Sequence, residues 1–143
     1  MSCVSFWTES QRARLRAAAL DPRPVSRFLS PAATESKVRR LRLMALSPNA
    51  GIRTSAASGV HLPADVLTVL ARDGDVGVRV AVARNPACPA EALRSLAADD
   101  QERVRGWVAA HPFVPGDVLR DLDRDSSELV RAVVDWARDW HCR

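Results

Sequence analysis

Residues 63–88 read PADVLTVLARDGDVGVRVAVARNPAC, and residues 89–114 read PAEALRSLAADDQERVRGWVAAHPFV. The second stretch is the first moved on by 26 residues. Proline opens both, and Leu67 with Leu93, Asp73 with Asp99, Arg79 with Arg105 and Val82 with Val108 fall in register. Carried outward, the same offset aligns Leu15, Leu41, Leu67, Leu93 and Leu119. It also aligns Ala18, Met44, Leu70, Leu96 and Leu122, and it fills one column entirely with arginine: Arg27, Arg53, Arg79, Arg105 and Arg131. Five units fit without an insertion. A fixed period of this length is the mark of a repeat architecture.

Each unit reads as two short helices. In the unit starting at Pro63, proline suits the first helical position, where its missing N–H costs nothing. Asp65 then stands in the first turn, where a carboxylate favours the positive helix end, as Glu91 and Asp117 do in the next two units. Val66, Leu67, Leu70 and Ala71 share one helical face. Asp73-Gly74-Asp75 breaks this helix, and Asp75, like Asn49 and Ser127 in the same column, is a candidate N-cap for a second. Val78, Ala81 and Val82 give that second helix its own apolar stripe. Gly59, Asn85 and His111 fall where it ends, residue types suited to a left-handed C′ position, and Pro86 and Pro112 forbid continuation.

One such pair cannot bury its stripe alone, but stacked copies build a continuous core. The expectation is an all-α protein, an α-solenoid of about five 26-residue two-helix repeats spanning 1–143 as one domain. Residues 1–34 form an atypical N-terminal repeat, 35–126 the central repeats and 127–143 a C-terminal capping helix. The first unit opens with a capping box, Thr8 and Gln11, and Phe6 and Trp7 are suited to cover an open end. In the last unit Asp123, Asp135 and Arg138 replace small or apolar residues, as a water-facing terminal repeat requires.

Composition narrows the class further. The 143 residues hold 47% apolar side chains, enough for a core, and no run long enough to span a membrane. No basic, apolar leader opens the chain, and Cys3, Cys88 and Cys142 are odd in number and far apart, so a reducing cytoplasm is the expected setting. Basic residues number 21 against 17 acidic, and only Lys37 among them is not arginine. Residues 1–46 carry nine basic and three acidic groups, so the N-terminal third is the basic end.

The blocks LTVLARD (67–73), VRVAVARNP (78–86) and CPAEAL (88–93), which recur at 93–99 and 104–112, resemble the leucine-rich repeat variant family and short HEAT repeats. The resemblance is tight over 62–134 and looser over 9–61. It implies a right-handed superhelix of paired helices, one of which can be 3₁₀-like, and a binding scaffold rather than an enzyme. Some members hold an iron–sulfur centre through an N-terminal cysteine cluster. Only Cys3 stands there, so no cofactor carries over. The resemblance to HEAT repeats also implies that aspartate and arginine six residues apart, here Asp21/Arg27, Asp73/Arg79, Asp99/Arg105 and Asp125/Arg131, form a hydrogen-bonded ladder between units. Arg53 faces Ser47 and lacks a carboxylate in its own unit.

Two surfaces are candidate sites. The second helices line the inner, concave face, where Val80, Arg84, Arg103 and Trp136 make a shallow groove for a peptide or protein, since tryptophan and arginine are the usual interface anchors. Sealing of the last repeat is the alternative role for Trp136 and Trp140, and Trp107, in a column with Ala81 and Val133, reads as core. The rival surface is the basic end, where Arg12, Arg16, Arg39, Arg40 and Arg42 could neutralise phosphates of a nucleic acid. No catalytic constellation, glycine-rich phosphate loop or metal-ligand spacing is present, so neither catalytic nor metal residues are assigned. Cys88, in a column with Leu62 and Val114, reads as a small buried apolar residue.

Overall fold

The computed structural model describes residues 34–141, which lie in the second of the two units into which the chain divides, Ala33–Arg143. Expectations for residues 1–33, including the Thr8 capping box, and for Cys142 lie outside the described residues.

Eight helices follow one another: α1 (Glu35–Ala45), α2 (Ala50–Ala57), α3 (Ala64–Leu70), α4 (Val76–Arg84), α5 (Ala90–Ala97), α6 (Glu102–Ala109), α7 (Gly116–Leu122) and α8 (Glu128–His141). All are α-helical, so the 3₁₀-like helix that the resemblance allows is not found among the described residues. The odd-numbered helices form one row and the even-numbered a second. Each helix packs on its chain neighbour and on the next helix of its own row, and no contact among the described helices reaches further. That one-dimensional contact pattern is what stacked repeats produce.

The core follows the 26-residue columns. Leu67 and Leu93 of the first helices and Val78, Val104 and Val130 of the second are wholly buried, with Leu70, Leu96 and Leu122 beside them. Small residues let the rows approach: Ala56, Ala57, Ala83, Ala92 and Ala109 have no exposed surface.

The helix ends differ from the sequence expectation in two places. Pro63, Pro89 and Pro115 sit at the N-cap in extended conformation, one residue before the first helical position. There the missing N–H is equally harmless, while the Pro63 carbonyl accepts from Val66 and Leu67. No residue takes the left-handed conformation among the described residues. Asn85 is extended, and Asn85 and His111 are instead buried side chains that bond to the preceding unit. Asn49 and Asp75 do cap α2 and α4, accepting from Gly51 and Val78.

Candidate functional site

The first question at the surface is which arginines are already occupied. Arg53, Arg79 and Arg105 each hold the carboxylate of the following unit in a two-pronged pair, to Asp73, Asp99 and Asp125, with Nε–O distances of 2.7, 2.6 and 2.7 Å. A third nitrogen of each donates to the backbone carbonyl of Ser47, Asp73 or Asp99 in its own unit. The ladder is therefore present, but its rungs join residues 20 apart rather than six. Arg53 needs no carboxylate in its own unit because its partner is Asp73.

Each aspartate also accepts from the N–H two residues on, which starts the second helix: Asp75, Gln101 and Ser127 respectively. The carboxylates are about nine-tenths covered, at 10%, 7% and 7% exposure. Hydrogen bonds from Arg53 and Arg105 hold Asp73 and Asp125 below the ordinary carboxylate range. At Asp99 burial is the largest influence and acts upward, but the bonds from Arg79 and Gln101 and the charges of Arg79 and Arg105 together outweigh it, so its carboxyl is also held low.

A second, exposed series joins the first helices. Arg42 pairs with Asp65 at 2.8 Å and Arg94 with Asp117 at 3.0 Å, residues 23 apart. Arg120 bonds back to the Gly116 carbonyl. Of the basic-end arginines, Arg42 is thus engaged by Asp65, Arg39 and Arg40 are exposed with no ion pair among the described residues, and Arg12 and Arg16 lie outside them.

A third series is buried. Asn85 Nδ2 donates to the carbonyls of Ala57 at 2.6 Å and Gly59 at 3.1 Å, and His111 Nε2 meets the Asn85 carbonyl at 2.9 Å. The Phe113 N–H donates to His111 Nδ1, which makes Nε2 the protonated nitrogen and the donor to Asn85. These bonds satisfy carbonyls left over at helix ends. Cys88 is buried and free, its thiol pushed up to about 11 by burial, so it is an unreactive packing residue.

A hollow of about 310 Å³ lies on the first-helix row between α1 and α3, lined by Arg42, Leu46, Asp65 and Val69 among others, and the exposed side of the second-helix row is open as well. Two adjoining hollows run across it. One, of about 420 Å³, lies over α2 and α4 and is lined by Thr54, Ser58, Gly77, Val80, Arg84 and Arg103, among others. The other, of about 340 Å³, lies between α6 and α8, where Arg103, Gly106, Trp107, Leu129, Val133 and Trp136 form its wall. Arg103 belongs to both. The structure thus brings Val80, Arg84, Arg103 and Trp136 to one face. Val80 is 6% exposed and forms floor rather than rim.

Trp107 is not core. It is 38% exposed, and the guanidinium carbon of Arg84 stands 4.6 Å from its ring centre, a cation–π contact that bridges the two hollows. Trp136, at 56% exposure, lines the second hollow. Gly106 is helical, with no positive φ, and a Cβ there would meet nothing within 4 Å. A mid-helix glycine costs about 1 kcal/mol relative to alanine. Here no steric need of the fold explains it, and its effect is to leave the second hollow open.

Among the described residues no three His, Cys, Asp or Glu side chains gather as a metal site. No helix there is long and apolar enough to cross a membrane.

Two rows of stacked helix pairs, each helix in contact only with its chain neighbours and the adjacent helices of its own row among the described residues, define a helical repeat protein. Within that class, residues 76–101 match the family model described as leucine rich repeat variant, a stretch of one period running from the start of α4 to the N-cap of α6. This is the family that the sequence blocks resemble. No curated protein and no solved structure matches the chain.

Proposed function

We propose that the chain is a non-enzymatic interaction module, a right-handed solenoid of five units that binds a peptide or protein surface along the second-helix face. The observation that carries this reading is the pair of joined hollows, walled by Arg84, Arg103, Trp107 and Trp136, on a face where Arg84 and Arg103 take part in no ion pair among the described residues. On this reading the face is concave and the setting is the cytoplasm.

The test compares the wild-type chain with a Trp136→Ala/Arg84→Ala variant in capture from native extract, followed by titration of the purified captured protein. Loss of capture with unchanged far-ultraviolet circular dichroism supports the groove. Equal capture by both proteins removes it. Duplex DNA titrated across a salt series is the control for the basic end, since phosphate contacts weaken steeply as salt rises.

A further inference from the structure

The two hollows differ in chemistry, and the difference specifies what fits them. The hollow over α2 and α4 has two arginines and no carboxylate in its wall. Arg84 and Arg103, like Arg39, Arg40, Arg72, Arg120, Arg124 and Arg131, take part in no ion pair among the described residues, and of these only Arg84 and Arg103 line this hollow. Arg103 also stands in the first turn of α6, where the helix end is positive and a cation is disfavoured. The stacking of Arg84 on Trp107 is a π attraction that leaves guanidinium N–H donors to bond an acceptor.

The hollow between α6 and α8 is apolar. Its polar surface is a small fraction of its lining, two indoles flank it, and Leu129 and Val133 close its side. Gly106 keeps its centre clear. Its one acid, Glu102, already accepts a hydrogen bond from Ser127 at 2.6 Å.

Resting on the groove reading above, we infer that the partner is an acidic peptide segment in which a carboxylate lies next to a bulky aliphatic or aromatic side chain. The carboxylate is held by Arg84 and Arg103, and the apolar side chain enters between Trp107 and Trp136. A nucleic acid is the poorer fit. Two cations in one hollow do not make the extended stripe that phosphate neutralisation needs. Planar, two-pronged carboxylate recognition is what a pair of guanidinium groups provides.

The experiment selects binders from a displayed library of random linear peptides against the immobilised full chain. Enriched peptides are then titrated against the wild type, Arg84→Glu/Arg103→Glu, and Gly106→Gln, which fills the apolar hollow from a position with room for a side chain. The expected result is enrichment of aspartate or glutamate beside leucine, phenylalanine or tryptophan, with affinity falling more than about tenfold in either variant. Circular dichroism confirms that each variant is folded.

Peptides without acidic enrichment that still lose affinity in Gly106→Gln overturn the acidic specificity and leave the groove reading standing. Peptides indifferent to both variants overturn both. An empty selection overturns the acidic-peptide assignment, and duplex DNA bound and lost in Arg84→Glu/Arg103→Glu replaces it with a phosphate site.

Discussion

Arginine 79 and arginine 84 are five residues apart on one helix and have different work. Arg79 bridges the Asp73 carbonyl and the Asp99 carboxylate, and is mostly covered. Removing it strands a carboxylate that is 7% exposed, so Arg79→Ala is predicted to cost roughly 2 kcal/mol in urea unfolding. Arg84 is exposed and rests on Trp107, so Arg84→Ala is predicted to change stability by less than about 1 kcal/mol. Gly106→Ala is predicted to raise stability by about 0.5–1 kcal/mol, because the added Cβ meets nothing and the unfolded chain loses freedom.

The ladder also sets the acid response. Asp73, Asp99 and Asp125 have folded-state pKa values below their ordinary 3.8. Their stabilisation is therefore complete above the unfolded-state value and is lost as pH falls through the folded-state values. A melting temperature that holds steady from neutral pH to about pH 5, then falls steadily below about pH 4, is the expected profile. Asp99→Asn should flatten that fall while lowering the neutral-pH value.

At the scale of the elements, the helix pairs are held together by series that the sequence shows to different degrees. The apolar columns are legible because burial recurs at the period: Leu67 and Leu93, and Val78, Val104 and Val130, are wholly buried, while Ile52 in the first described unit is 42% exposed. The Asp–Arg ladder was legible in composition but not in connection. Asp73 and Arg79 stand close in the chain, but the Asp73 carboxylate turns to the Asp75 N–H and to Arg53, which leaves only its carbonyl for Arg79. The first-helix series Arg42–Asp65 and Arg94–Asp117 had a signal in the sequence, a constant spacing of 23 between arginine and aspartate.

The Asn85–His111 series was read as helix-stop chemistry, because both residue types suit a C-terminal turn and burial leaves no mark on a polar letter. It predicts that His111→Ala, which removes a buried ring and its bond to the Asn85 carbonyl, costs about 2–3 kcal/mol in thermal or urea unfolding. Trp107 was misread for a related reason. Ala81 in the same column is buried, but alanine is too small to show that the column lies at the edge of the core, and an indole there overhangs.

For the whole molecule, contacts confined to helices one or two places apart mean that stability accumulates unit by unit. A chain ending at Pro115 removes α7 and α8 and uncovers one face of α6. It is predicted to retain helical signal roughly in proportion to the helices kept and to melt at a lower temperature. Complete loss of structure would instead mark a globular bundle with a shared core. On the proposed reading the same layout divides the work: the ladders and the buried series hold neighbouring units together, and the second-helix face, with Arg84 and Arg103 in no ion pair among the described residues, is the one that meets a partner.

The most direct measurement of that division is hydrogen–deuterium exchange of the full chain with and without a saturating acidic, leucine- or phenylalanine-bearing peptide from the selection. Slowed exchange concentrated in α4, α6 and α8, with α1, α3, α5 and α7 unchanged, is the predicted result. Slowed exchange confined to α1 and the residues around Arg39 and Arg40 would contradict the account and place the binding surface on the first-helix row.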